Sequence, residues 1–185
     1  MVVMRGLRDR FKGTVPPGIL QENEGLVIEE VPGTYPFRFV LEPGKRFHLH
    51  TAAPGEAMVA FLPGEKNGKV YQVELKKFSE CTIMDKETYR KVLEEVRRLG
   101  YAVARAEEIE GMHCIGAPIF NRYGYPVTEI WITGPSIRIT EKDFPIIGEE
   151  VKRHVAYISK SLGYRGTTNN ITTHNNRELT GLSII

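Results

Sequence analysis

His48 and His50 stand two residues apart. In an extended segment both side chains would face the same way, as a zinc site needs once further ligands arrive from elsewhere. Two histidines alone are equally served by one that packs and one that caps or lines a surface, so no metal is expected. Cys114 follows His113, and a thiol beside an imidazole is the raw material of a nucleophile and its base. The residues after it, Ile115, Gly116, Ala117, Pro118 and Ile119, are apolar or small, so burial should raise the thiol pKa and suppress its reactivity. Cys114 therefore reads as a core cysteine, and a small enzyme using it with His113 or His50 is the alternative. GxSxG, GxxxxGKS/T, GxGxxG and HExxH are all absent from the sequence, which removes the common signatures of acyl transfer, phosphate binding and zinc hydrolysis. The expectation is no catalytic residues, no cofactor and no enzyme activity.

The elements that would position such residues follow from pattern. Residues 25–31 (GLVIEEV) and 37–40 (FRFV) are β-rich runs around Pro32, Gly33 and Thr34, which predicts two strands and a turn. Residues 15–18 (VPPG) precede them, and two prolines confine that stretch to an edge or a loop. Residues 52–62 place Ala57, Met58, Phe61 and Leu62 at helical spacing before Pro63 and Gly64, a short buried helix whose start is made of small residues. Residues 85–99 carry Tyr89, Val92, Leu93, Val96 and Leu99 as one apolar stripe closed by Gly100, an amphipathic helix. Residues 101–105, 114–120 and 127–133 read as strands, the last two joined by Asn121, Arg122, Tyr123 and Gly124 as a hairpin. Residues 141–162 repeat Phe144, Ile147, Val151, Val155, Ile158 and Leu162 in steps of three and four, a long helix across the sheet. The polar run 165–177 has no period and reads as a tail. Together these predict an α+β fold, an antiparallel sheet flanked by helices, with a domain over 1–163 and a polar C-terminal tail over 164–185.

The 185 residues include 25 basic and 23 acidic side chains, interspersed, so no basic stripe of the kind that neutralises phosphates argues for direct nucleic-acid binding. Two cysteines outside any CxxC spacing fit a reducing cytoplasm better than a disulfide framework. Arg5, Arg8, Arg10 and Lys12 are not followed by an apolar stretch, and no run approaches the roughly 18 to 20 apolar residues of a membrane span. The Asn170, Ile171, Thr172 triplet is discounted as a glycosylation acceptor in a chain with no route to secretion.

Four segments, in order, resemble the effector-binding domain of IclR-type bacterial transcription regulators. Residues 49–60 (LHTAAPGEAMVA) are similar to the family's LHATAxGKAxLA. A helix ending in Gly100, Tyr101 and Ala102 follows, then residues 110–119 (EGMHCIGAPI), similar to GVxCIAAPV, and 132–138 (ITGPSIR), similar to SVSGPxxR. The closing helix carries residues 158–163 (ISKSLG). The resemblance implies a GAF-like or PAS-like sensor fold, a small-molecule effector, and action through a homodimer or homotetramer whose arrangement responds to ligand. DNA would be met only through a helix-turn-helix domain that these residues do not contain.

Carried over from the resemblance, the pocket positions are Phe39, Phe47, Ala53, Pro54, Ala104, Cys114, Trp131 and Thr133. The unpaired N–H groups of a helix start suit a carboxylate, and the aromatic residues suit a flat apolar body, so the expected ligand is a small organic acid or an aromatic metabolite. Three positions depart from the family: Ala104 replaces an acidic residue, Trp131 a small hydroxyl residue, and Glu56 the lysine of the GKA motif. Trp131 with Phe39 and Phe47 either forms an aromatic wall or fills the cavity, in which case the chain is an interaction module with a closed pocket. Glu56 is expected to face solvent, where it would complement the positive end of its helix.

Overall fold

The structure, a computed structural model, describes residues 1–64 and 74–166. Six strands form one antiparallel sheet: β1 Pro17–Gln21, β2 Glu24–Val27, β3 Arg46–His48, β4 Ala102–Arg105, β5 Met112–Phe120 and β6 Pro126–Pro135, in the order β3-β2-β1-β6-β5-β4. Helices α2 (Ala53–Val59) and α3 (Lys86–Leu99) cover one face, and α1 (Val2–Phe11) with α4 (Phe144–Ser161) covers the other. The α+β expectation holds. The polar tail lies mostly outside the described residues.

Coverage on both sides explains the composition of β5. Cys114 and Phe120 enter the core under α2 and α3, while Ile115, Ala117 and Ile119 enter the core under α1 and α4 with Ile132, Ile147 and Val151. A strand buried on both faces reads as an apolar run and not as an alternation. The β5–β6 hairpin closes through Asn121, which accepts hydrogen bonds from the N–H groups of Tyr123 and Tyr125 at 2.9 and 3.1 Å.

Two strand expectations need correction. Residues 15–18 are neither edge nor loop: β1 sits inside the sheet between β2 and β6. The prolines fit because the ladder asks them only for carbonyls. Trp131 N–H donates to Pro16 at 3.2 Å and Ile28 N–H to Pro17 at 3.1 Å, while Thr14 and Val15 donate the N–H bonds on either side. Residues 37–40 have strand composition but form no strand; Phe37 is exposed, and the Phe39 carbonyl accepts the Thr14 hydroxyl at 3.1 Å. The segment is spent bracing the start of β1.

Helix α3 forms as its pattern predicts. Asp85 caps it, accepting from Thr88 N–H at 2.7 Å, and Gly100 ends it at φ 82° with its N–H on the Val96 carbonyl. Tyr89, Leu93 and Val96 are its buried stripe, and the Tyr89 hydroxyl donates to the Leu49 carbonyl at 2.9 Å. Leu49 in turn fixes α2. A Cβ on Gly55 would lie 2.5 to 2.9 Å from the Leu49 backbone, so only glycine lets the two chains approach this closely.

Glycine-to-alanine exchange should therefore have opposite signs in two helices. At Gly6 of α1, where a Cβ meets nothing within 4 Å, alanine is expected to stabilise by about 0.5–1 kcal/mol. At Gly55 the same change should destabilise by about 1–3 kcal/mol, because the clash is with backbone. Urea midpoints at constant slope measure both; a stabilising Gly55→Ala would refute the close approach.

Candidate effector cavity

A cavity of about 40 Å³ lies between the start of α2, the strands β4 to β6 and the loop after β4. One water needs roughly 10–15 Å³ on this measure, so the space holds a few waters or a very small ligand group. Of the residues implied by resemblance, Phe47, Pro54, Ala104, Cys114 and Trp131 line it. Phe39, Ala53 and Thr133 do not: Ala53 is buried beneath Pro54, Phe39 packs at the edge of the same core, and Thr133 stands behind Cys114.

Each lining residue is placed by a local feature. Trp131 on β6 faces the α2 side because β6 alternates, with Ile130 and Ile132 directed to the opposite core. Its indole meets Phe47 of β3 edge-to-face, with centroids 5.4 Å apart at 64°. Both rings line the cavity. Gly116 makes room for this stack: a Cβ there would sit 2.9 Å from Trp131 Cβ and 3.5 Å from the Pro54 nitrogen.

Cys114 is inert. Its thiol donates to Thr133 Oγ1 at 3.1 Å, and that hydroxyl donates to the His113 carbonyl at 3.2 Å. Burial pushes the thiol up to about 12, and the nearby carboxylates of Glu108, Glu107 and Glu56 reinforce the shift. It offers no thiolate at neutral pH. His113 turns the other way, with Nδ1 2.8 Å from the Ile139 carbonyl.

The sequence reading did not foresee the acidic lining. Glu107 and Glu108 stand in a run, residues 106–110 (AEEIE), that looks like a solvated loop. The structure folds this loop inward: Ala106 takes φ 57°, and Ser79 and Thr82 hold the Glu107 carbonyl at 3.2 and 2.6 Å. Glu108 accepts from the Thr51 hydroxyl at 2.9 Å and faces His48 Nδ1 at 3.4 Å. His50 goes elsewhere, accepting from the Lys76 N–H at 3.1 Å; burial lowers its pKa. Among the described residues no three His, Cys, Asp or Glu side chains group as a metal site.

Glu56 also needs correction. It does not face solvent: it is 0% exposed, and among the described residues neither carboxyl oxygen has a hydrogen-bond partner. Its place on α2 points it into the sheet, since every residue of this short helix is buried. Burial raises its pKa well above the ordinary carboxylate range, the adjacent Glu107 adds to this, and Arg105 opposes it. Burial likewise lifts Glu107 to about 7, against the N–H and charge of Arg105. Glu129, on the Trp131 face of β6, is 0% exposed and unpartnered against Gly18, and burial alone raises it.

A six-stranded antiparallel sheet with helices on both faces and a small cavity beside a short helix of small residues defines an α+β regulatory type of domain, and comparison with known proteins names its family. Residues 1–160 match the family described as Bacterial transcriptional regulator IclR C-terminal. The chain is 34% identical over 153 residues to the HTH-type transcriptional repressor AllR of Escherichia coli (strain K12), covering 82% of this chain and 56% of that protein. It is 29% identical over 164 residues to the HTH-type transcriptional regulator KdgR of the same strain, covering 88% and 62%. Among solved structures, the Thermotoga maritima IclR superposes with a TM-score of 0.84 at 30% identity, over 88% of this chain and 66% of that one. The C-terminal domain of E. coli KdgR superposes at 0.78 and 27% identity, over 88% and 95%. The chain belongs to the IclR family, as its C-terminal regulatory domain, with the α+β sensor fold that the resemblance implied. It spans 56 to 62% of the length of these curated relatives, which are transcription regulators and not enzymes. No described helix is long and apolar enough to cross a membrane.

The three buried carboxyls make a pH prediction. Their folded pKa values lie above the ordinary 4.5, so between that value and the folded pKa the folded state binds more protons than the unfolded chain. Their contribution to stability is thus fully present below about pH 4.5 and is lost as pH rises through the folded pKa, near 7 for Glu107. The melting temperature should fall from pH 5 to pH 8. Glu129→Met should flatten that slope and stabilise the protein at pH 8 by about 1–4 kcal/mol. An unchanged slope in this variant would place Glu129 in contact with water.

Proposed function

We propose that this chain senses a small-molecule effector in the cavity beside Trp131, and that occupancy alters the arrangement of a homodimer or homotetramer in a cytoplasmic IclR-type transcription regulator. The observation that carries this reading is the cavity itself: a partly apolar space at the start of α2, lined by five of the residues that the family resemblance picks out. Phe39, Ala53 and Thr133 stand just behind that lining and complete the proposed ligand-binding set. The sensing domain covers 1–163, and residues 164–185 form a tail. DNA contact belongs to a helix-turn-helix domain outside these residues; a small organic acid or an aromatic metabolite is the starting ligand class.

The small volume favours one competing reading. With the indole in place only about 40 Å³ remains, so an interaction module with a closed pocket predicts no metabolite binding at all.

A thermal-shift screen of small carboxylates, aromatic acids and amines separates the two. A true effector at one hundred times its Kd should add about 2.7 kcal/mol of stability. Ala104→Leu, which fills the cavity from β4 without touching a polar group, should abolish the shift. No shift across the screen, or a shift that Ala104→Leu leaves intact, would remove the cavity from the function.

A further inference from the structure

The polar lining of the cavity is uneven. At its solvent end stand the exposed side chains of Lys45 and Arg46, the latter paired with Glu24 at 3.0 Å. At its inner end the side-chain groups are acceptors whose neighbouring donors are already used. The Thr51 hydroxyl is given to Glu108 and the Cys114 thiol to Thr133. Glu107 lines the cavity and is 6% exposed; its Oε1 accepts the Arg105 N–H at 3.2 Å, and its buried Oε2 has no partner among the described residues. Behind it Glu56 is wholly buried, also without a partner.

An orphaned buried acceptor costs about 1–3 kcal/mol, more if charged, and native structures retain such groups where function uses them. A carboxylate ligand placed at this end would meet Glu107 and Glu108 and bring their oxygens no donor. A group that brings both positive charge and several N–H donors would satisfy the free oxygen and offset the repulsion. We propose that the effector carries a protonated amine, held at the inner end of the cavity by Glu107 and Glu108 while its apolar body lies against Trp131 and Phe47. This rests on the cavity being the effector site.

Binding of that amine is coupled to protons. The groups that face Glu107 are Glu56 from α2, Arg105 from β4, Glu108 in its own loop and Cys114 from β5. The balance of burial and charge leaves Glu107 largely protonated below pH 7. An ammonium needs the ionised form, so its capture releases a proton and weakens as the medium becomes acidic.

The single tryptophan of the sequence is Trp131, so its fluorescence reports occupancy directly. Titrations with methylamine and ethylamine, against formate and acetate at equal ionic strength, should show the amines acting at concentrations about tenfold lower at pH 8. That advantage should shrink at pH 6. Glu107→Gln should remove both the amine preference and its pH dependence with the fold intact by circular dichroism; if that variant does not fold, Glu108→Gln should reduce the amine preference while leaving its decline at pH 6, which Glu107 supplies. Carboxylates that saturate the signal while amines do not would overturn the amine proposal and leave the sensor reading standing. If no probe moves Trp131, or Ala104→Leu leaves the response unchanged, both fall.

Discussion

Close approach of α2 to the chain that precedes it is the constraint on which the site depends. Gly55 lies against the Leu49 backbone, and Pro54 lies over Gly116 of β5. Tyr89 holds Leu49 from the far side through its hydroxyl, so α3, the turn before α2 and the sheet are joined at one point. A helix that rests on glycine and alanine sits low on the sheet, and side chains cannot fill the space beyond its first turn. That space is the cavity. The opposite face of the sheet, closed by α1 and α4 over Ile115, Ile132 and Val151, is packed without such a gap and supplies the rigid floor that a pocket needs.

Electrostatics at the cavity run against stability. Glu56, Glu107 and Glu129 all place carboxyl oxygens where no partner among the described residues reaches them, and a core of the same shape built from leucine and methionine would be more stable. Local rules are broken in this way mainly at functional sites. Glu56 and Glu107 adjoin the cavity and fit that account. Glu129 lies on the same face beyond Trp131, against Gly18; nothing in its surroundings explains its retention.

The parts that were legible in the sequence are those in which one periodicity decides the outcome. Helices α3 and α4 and the β5–β6 hairpin stand where their apolar spacing and turn residues put them. Helix α1 left no such mark, because only Met4 and Leu7 are buried along it and Gly6 interrupts it. Strand β3 is three residues long, too short for a pattern to show. The two prolines before β1 signalled a break, and only the sheet register reveals that their missing N–H groups are never called upon. Family likeness found the cavity walls through motifs around Pro54 and Cys114, yet Glu56 was expected to face solvent and nothing in the sequence singled out Glu107. Their burial is set by distant groups: the depth of α2 on the sheet for one, and the grip of Ser79 and Thr82 on the 106–110 loop for the other.

That loop is also where cavity and scaffold meet mechanically. Its carbonyls at 106 and 107 are held by Ser79 and Thr82, and its Glu108 carboxyl joins Thr51 at the start of α2 and His48 at the end of β3. A bound group that draws on Glu108 competes for oxygens already committed to these two elements. A group bound there, as proposed, would act where α2, β3 and the 79–82 turn are tied together, and not on an isolated side chain. Ligand binding shifts a conformational balance only by its differential affinity for the two states. In the proposed reading that difference would lie in the exchange of the Thr51 and His48 contacts of Glu108 for contacts with the ligand.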